Sequence, residues 1–380
     1  MTRRRLVLVG GGHVHLEVLR AAAERALDAD VVLLSPTPWQ LYSGRMPAHL
    51  RGRITADELS IALGPLCRAA GVRFVQASAT RVEADARGGV VRSTNGDYAG
   101  DVISLDVGAS VAGLDTPGVA EHAFSTRPAE RWSALVARVD ALVAKGNGRA
   151  VSCCVVGAGV GGIEIAFAIH ARIGAANCVA EVALVDAAPR MLGTWDDDAT
   201  ERVSALLYQR GITMHLGADV ARVGAESVEL HGGKQLRADI AVWTTGAAPH
   251  AWLRQSPLAL HDDGWLLVDS TLRAVDGRAV WGAGDCIALE GAPWLPRSGV
   301  YAVRAAPVLA HNLRVAVEGA GQPVAFEPQR RSLALVDTAD GRALAHRGRF
   351  TASGRWAWWL KHWIDGRYVR KYQRLYERLV

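Results

Sequence analysis

The stretch Val151-Ser-Cys-Cys-Val-Val156-Gly157-Ala-Gly159-Val-Gly-Gly162-Ile-Glu164 decides how this chain is read. The apolar run from Val151 to Val156 has the length and composition of a buried parallel strand. Gly157-x-Gly159-x-x-Gly162 follows directly, and Ile163 to Ile173 continues at helical spacing. Strand, glycine turn and helix in this order make a cradle for a dinucleotide. The first glycine permits the tight turn, the second lets backbone approach a pyrophosphate, and the third lets helix and strand pack closely. Phosphate charge then lies at a helix N-terminus, where N–H groups lack partners. The next strand, Val182 to Val185, ends in Asp186, placed to accept bonds from an adenosine ribose. An acid there repels a 2′-phosphate and favours NAD over NADP, and the nearby Arg190 tempers that preference.

A similar unit lies upstream. Leu6 to Val9, Gly10-Gly11-Gly12, a helix carrying Val14, Val18, Leu19 and Ala22, and Val31 to Leu34 form a second βαβ unit, whose crossover is right-handed. It is less regular. His15 stands at the third glycine position, and Ser35-Pro36 replaces the acid after the second strand. By itself this unit fits either a binding site or a structural βαβ. His13 and His15 either lie near phosphate or cap and pack the helix. A linker is expected around Gly146-Asn147-Gly148, a helix over about Asp198 to Gln209, and a strand near Ile212. Two later apolar strands, Ile240 to Trp243 and Ala279 to Trp281, end in Thr244-Thr245-Gly246 and Gly282-Ala-Gly284-Asp285. Asp285 can accept a sugar-chain hydroxyl at the ligand edge of a parallel sheet, or simply serve a turn.

Composition narrows the class. The 380 residues suit two or three domains, and 50% hydrophobic with 21% charged residues describe an ordinary folded chain. No apolar run reaches the roughly 18 residues of a spanning helix, and Leu6 to Val9 is too short for a signal peptide. A cytoplasmic protein is expected. The five cysteines show neither zinc-ligand spacing nor a C-x-x-C or C-x-x-x-x-C pair, which argues against a dithiol-relay reductase. Cys153 and Cys154 should point to opposite faces of their strand. The net charge of +5 resides wholly in Arg355 to Val380, which argues against a nucleic-acid partner for the rest of the chain.

The order Gly10-Gly-Gly12, Gly157-x-Gly-x-x-Gly162, Thr245-Gly246 and Gly284-Asp285 resembles the pyridine nucleotide-disulfide oxidoreductase superfamily. Within it, the chain looks like the branch of type II NADH:quinone dehydrogenases and sulfide:quinone oxidoreductases. Val9-Gly-Gly-Gly-His-Val-His-Leu16, Tyr42-Ser-Gly-Arg-Met-Pro47, Ser104-Leu-Asp-Val-Gly108 and Ser298-Gly-Val-Tyr-Ala-Val-Arg304 are similar to an FAD-dependent oxidoreductase domain found alone or fused ahead of selenide, water dikinase. The resemblance implies a doubly wound α/β fold with two Rossmann-like domains, the NAD domain inserted in the FAD domain. The FAD domain would comprise residues 1–115 and 246–322, the NAD(P)H domain 116–245, and a C-terminal interface region 323–380. Carried onto matching positions, cofactor contacts fall on Gly10, Gly11, Gly12, His13, Ser35, Arg45, Thr80, Gly108, Gly246, Gly284, Asp285 and Val303, and on Gly157, Gly159, Gly162, Glu164 and Asp186.

The implied activity moves hydride from NAD(P)H to FAD and electrons onward to a quinone or other small acceptor. Glu164 would orient nicotinamide or relay a proton, with Arg45 as its candidate partner; Arg304 would stabilise reduced flavin or an anionic acceptor. A carboxylate merely favoured by the helix dipole is the plain reading of Glu164. Oxidation of reduced sulfur or selenium species, with Cys286 as the candidate thiol, is the alternative enzyme. Nucleotide sensing without turnover is the non-enzymatic one. In the tail, Tyr368, Tyr372, Leu375, Tyr376 and Leu379 recur at helical spacing, as do Trp356, Trp359, Leu360 and Trp363 upstream. Such a basic, aromatic helix either lies in an anionic membrane interface or packs on the FAD domain. The sequence leaves the oligomeric state open, a homodimer included.

Overall fold

The computed structural model describes residues 3–144, 146 and 148–377; Asn147 of the expected linker and Arg378 and Leu379 of the tail lie outside them. The first sheet starts with β1 (Arg4–Val9), α1 (His13–Glu24), β2 (Ala29–Ser35), β3 (Arg73–Gln76) and β4 (Val102–Leu105). The second contains β5 (Ala123–Ser125), then α2 (Ala129–Val143), β6 (Ala150–Val156), α3 (Val160–Ala175), β7 (Val179–Asp186), α4 (Asp197–Gln209), β8 (Thr213–Leu216) and β9 (Ile240–Trp243). The chain then returns to the first sheet as β10 (Val280–Gly282) and continues into α5 (Gly299–Glu318). It ends in the meander β11 (Ala334–Asp337), β12 (Ala343–Arg347), β13 (Phe350–Gly354) and the long helix α6 (Arg355–Glu377).

Both sheets are parallel and five-stranded, in the orders β10-β4-β1-β2-β3 and β5-β9-β6-β7-β8. The first unit inserts a three-stranded antiparallel meander between its third and fourth consecutive strands, over residues 79–100, and the second unit inserts one between its fourth and fifth, over residues 220–237. The central strands explain the apolar runs. Leu6 to Val9 and Val151 to Val156 are buried on both faces because helices cover one side of each sheet and an antiparallel meander the other. Cys153 and Cys154 alternate as expected, packing into the cores on opposite sides of the second sheet.

The meander β11–β13 was not legible as such in the sequence. The aromatic tail divides its work. Val369 and Tyr372 are buried in the core that also contains α1, with Tyr368, Leu375 and Tyr376 packed against it. Trp356, Trp359 and Trp363 instead face outward, at 50%, 64% and 57% exposure. Among the described residues no helix is long and apolar enough to cross a membrane.

Candidate active site

Two of the three fingerprint glycines of the second unit have a steric reason within the protein. Gly157 has φ +111°, and a Cβ there would lie 2.5 Å from the Thr244 carbonyl oxygen. A Cβ on Gly162 would lie 1.8 Å from Gly157 O, so only glycine lets α3 approach the turn. Gly159, at the N-cap of α3, faces open space. Asp186 closes β7 with both carboxylate oxygens turned to the loop, Oδ2 accepting from Ala158 N at 2.6 Å and Oδ1 from Ala188 N at 2.8 Å. Arg190 is held away from it. Its guanidinium donates to Trp195 O at 2.6 Å and pairs with Asp197 at 2.6 Å.

The first unit uses the same turn with different stuffing. Gly10 has φ +95°, and a Cβ there would meet Asp106 O at 2.2 Å. His15 fills the third glycine position as a packed residue: its Nδ1 lies 2.6 Å from Gly10 O and its Nε2 2.8 Å from Ser104 Oγ. Burial depresses its pKa to about 4, so the ring is neutral. His13, at the first turn of α1, lies beside the Tyr42 and Tyr368 rings, whose centroids are 4.6 Å apart and stacked. Its Nε2 is buried without a partner, and burial likewise lowers its pKa to about 4. Ser35 is buried at the end of β2, Gly108 (φ +64°) and Gly246 face open space, and Thr80 is exposed at the start of the following meander.

Asp285 follows β10, with its Oδ2 3.1 Å from Arg127 Nη2. Arg127 belongs to the segment leading into the second unit, and its Nη1 also donates to Ala109 O. That bridge between units was invisible in the sequence, since the two residues are far apart in the chain. Val303 is half-buried on α5, while Arg304 on the same helix is exposed and makes no ion pair among the described residues. The structure therefore does not join Arg304 to the groups below.

Glu164 sits on α3 two residues past Gly162, buried, and its expected partner is wrong. Arg45 does not reach it: the Arg45 guanidinium donates to Glu58 O and lies 3.8 Å from the Glu58 carboxylate. Glu164 pairs instead with Lys361 of α6 at 3.3 Å and accepts from Asp337 N at 2.7 Å. Lys361 also lies 3.4 Å from Asp365, which accepts from the Tyr42 hydroxyl at 3.1 Å. His362 pairs with Asp337 at 3.1 Å. Burial raises the Glu164 carboxyl above its ordinary range, with Lys361 pulling against that rise. Burial alone would lower Lys361, yet Glu164, Asp365 and Asp337 together raise it, so it stays charged. One buried chain of polar groups thus connects the N-terminus of α3 to the aromatic trio beside α1. An i,i+4 Lys–Asp pair on a basic tail reads as a solvated surface pair, so Lys361 and Asp365 were missed.

These residues fit two dinucleotides. The open Gly159 face and fixed Asp186 carboxylate would hold the nicotinamide nucleotide's adenosine half. The Gly10–Gly12 turn, the partnerless His13 nitrogen and Asp285 offer FAD a phosphate turn, a free hydrogen-bonding atom and a hydroxyl acceptor. The five cysteines are free and buried.

Comparison with known proteins agrees. The family model for pyridine nucleotide-disulphide oxidoreductases matches residues 4–312. An NADH dehydrogenase-like protein of Mycobacterium tuberculosis is 30% identical over 293 residues, covering 75% of this chain and 73% of its own. A type II NADH:quinone oxidoreductase of Staphylococcus epidermidis is 24% identical, covering 97% and 96%. Among solved structures, the sulfide:quinone oxidoreductase of Aquifex aeolicus superposes with TM-score 0.80 at 18% identity, covering 98% of this chain and 92% of that one. NDH2 of Plasmodium falciparum in complex with NADH gives 0.79 at 12%, covering 99% and 98%. The chain belongs to the pyridine nucleotide-disulphide oxidoreductase family and, as a member, is an oxidoreductase that works with FAD and a nicotinamide nucleotide.

Proposed function

We propose that this chain passes electrons from NADH through FAD to a quinone, with the outward tryptophans of α6 resting on a lipid surface. The observation that carries this is the buried sequence of groups Glu164, Lys361, Asp365 and Tyr42. Reducing a quinone consumes protons as well as electrons, so the protein must supply a proton path beside the redox groups. FAD and the nicotinamide supply the hydride and electron chemistry; the chain's part is to position them and to move protons. Glu164, raised by burial, can hold a proton, and Lys361 stabilises the carboxylate when that proton leaves.

Residues 1–115 and 246–322 form the FAD domain in this proposal, 116–245 the NADH domain, and 323–380 the acceptor-side region. Asp186 repels a 2′-phosphate, and Arg190, tied to Asp197 and Trp195, is not free to welcome one, which favours NADH. Phe350, Trp356, Trp359 and Trp363 make the lipid-facing surface, with Arg355 and Arg367 beside them for anionic headgroups. Cys286 makes a sulfur donor the weaker reading: it is fully buried, and burial pushes its thiol up to about 12.

The test is anaerobic titration of the purified protein with NADH, NADPH, sulfide and selenide, followed by a water-soluble quinone. NADH should bleach the flavin absorption and the quinone restore it. Glu164→Gln should retain FAD and slow turnover. If sulfide bleaches the flavin and NADH does not, the proposal is wrong.

A further inference from the structure

The two units invite a position-by-position comparison. Asp106 follows β4 as Thr244 follows β9: Asp106 N donates to Val9 O at 2.8 Å, and Thr244 N to Val156 O at 2.7 Å. The side chains then diverge. Thr244 Oγ1 donates to the turn carbonyls of Val156 and Gly157, at 2.9 Å and 3.2 Å. Asp106 turns to the helix, its Oδ2 accepting from Val14 N at 2.7 Å and His15 N at 2.8 Å, within the first turn of α1. It is 3% exposed and lies directly under the glycine turn. A Cβ on Gly12 would be 2.4 Å from its Oδ1, and one on Gly284 would be 2.8 Å from the same oxygen.

The first unit therefore has a carboxylate of its own at the helix N-terminus where the glycine turn would receive the FAD pyrophosphate. Two anions at one helix end repel, and the neutral form of the acid is favoured when a like charge arrives. Burial has already moved the Asp106 carboxyl up to about 7. The Val14 and His15 N–H groups favour the carboxylate, but burial outweighs them and the charge of Asp285 adds to the rise. Asp285 and Cys286 face it from the segment after β10, neutral His15 from α1, and Tyr368, a neutral phenol, from α6. Arg127 is paired with Asp285, and Asp106 has no ion pair among the described residues.

We infer that Asp106 is a proton-linked acid of the FAD site: it must be neutral for the diphosphate to bind tightly, so binding takes up one proton from solvent and release returns it. The inference rests on the first unit holding FAD. Only an O–H bond at one Asp106 oxygen forms or breaks, and the carbonyl oxygen of the neutral acid still accepts from α1.

The experiment dilutes purified holoenzyme in series between about pH 6 and 8.5 and reads released FAD by its fluorescence. The Kd should rise with pH, by up to about tenfold per unit for one linked proton. Asp106→Asn keeps an acceptor for α1 and never ionises, so it should hold the tight, acid-side Kd across the range. The infrared spectrum of wild-type holoenzyme should show a protonated-carboxyl band that Asp106→Asn lacks. If the variant does not fold, the wild-type pH series and the deuterium shift of that band decide. A pH-independent wild-type Kd, or no such band, overturns the inference while leaving FAD in place. Protein that binds no FAD at any pH removes the cofactor assignment, and this inference with it.

Discussion

Replacing Lys361 by methionine tests the heart of the site. The substitution keeps much of the aliphatic stem and deletes the one charge between two buried acids. Lys361 and Glu164 side chains are only 9% and 7% exposed, and Asp365 is 10% exposed. Breaking a buried pair in this way costs about 3–5 kcal/mol, because the surviving carboxylates are left without a counter-charge. With an unfolding entropy of about 2.1 cal/mol/K per residue, that corresponds to a Tm lower by on the order of 4–6 °C for a chain of this length. The pH dependence has a definite sign. Glu164 has a folded pKa above its ordinary value, so its contribution is fully present below that value and is lost as pH rises through the folded pKa. Removing Lys361 raises that pKa further, so the variant should approach wild type in mild acid and fall away as pH increases. Adding Glu164→Gln should recover part of the loss, with Asp365 still supported by Tyr42. Thermal unfolding of the FAD-loaded proteins at acid and alkaline pH measures all of this. A single variant whose Tm matches wild type at both pH values would refute a buried, charged Lys361.

Gly157→Ala should abolish nucleotide binding and lower stability by several-fold more than the roughly 1 kcal/mol of an ordinary glycine substitution, because its Cβ would meet Thr244 O at 2.5 Å; NADH titration and thermal unfolding measure both. Asp186→Ala should raise the KM for NADH by on the order of tenfold, as charged hydrogen bonds are lost, and narrow the preference over NADPH; equal effects on both nucleotides would refute the ribose role. All five thiols should resist a soluble disulfide reagent in the native protein and react on unfolding, since each cysteine is buried. Replacing Trp356, Trp359 and Trp363 by serine should abolish flotation with anionic liposomes while leaving NADH-dependent flavin reduction intact; unchanged flotation would remove the lipid-surface proposal.

What could be read in the sequence follows from distance along the chain. Glycine turns, flanking strands and Asp186 are local, because a steric rule ties each residue to neighbours a few positions away. The second unit was therefore legible nearly residue by residue, from Val151 to Asp186. His15 shows the limit of that rule: the missing glycine weakened the first fingerprint, yet a neutral imidazole bonded to Gly10 and Ser104 does the packing instead. The partner of Glu164 was beyond reach, since α6 brings Lys361 to it from the far end of the chain. Arg45 is buried and cationic, as expected of a partner, but is taken by Glu58. Asp106 lay within the Ser104-to-Gly108 signature, yet nothing local showed that its carboxylate would reach the first turn of α1.

The strand order also bears on how the protein is made. β10 completes the first sheet only after the chain has travelled about 180 residues from β4, a loop whose closure is entropically costly. β5 and β9 pair side by side, Phe124 opposite Val242, so the second unit's entrance and exit are adjacent once it has formed. Its prior formation shortens the effective loop to about 60 residues and lowers the closure cost by about 1 kcal/mol. The inserted unit acts as a clasp, and loop entropy favours a folding order of inside first, outside last.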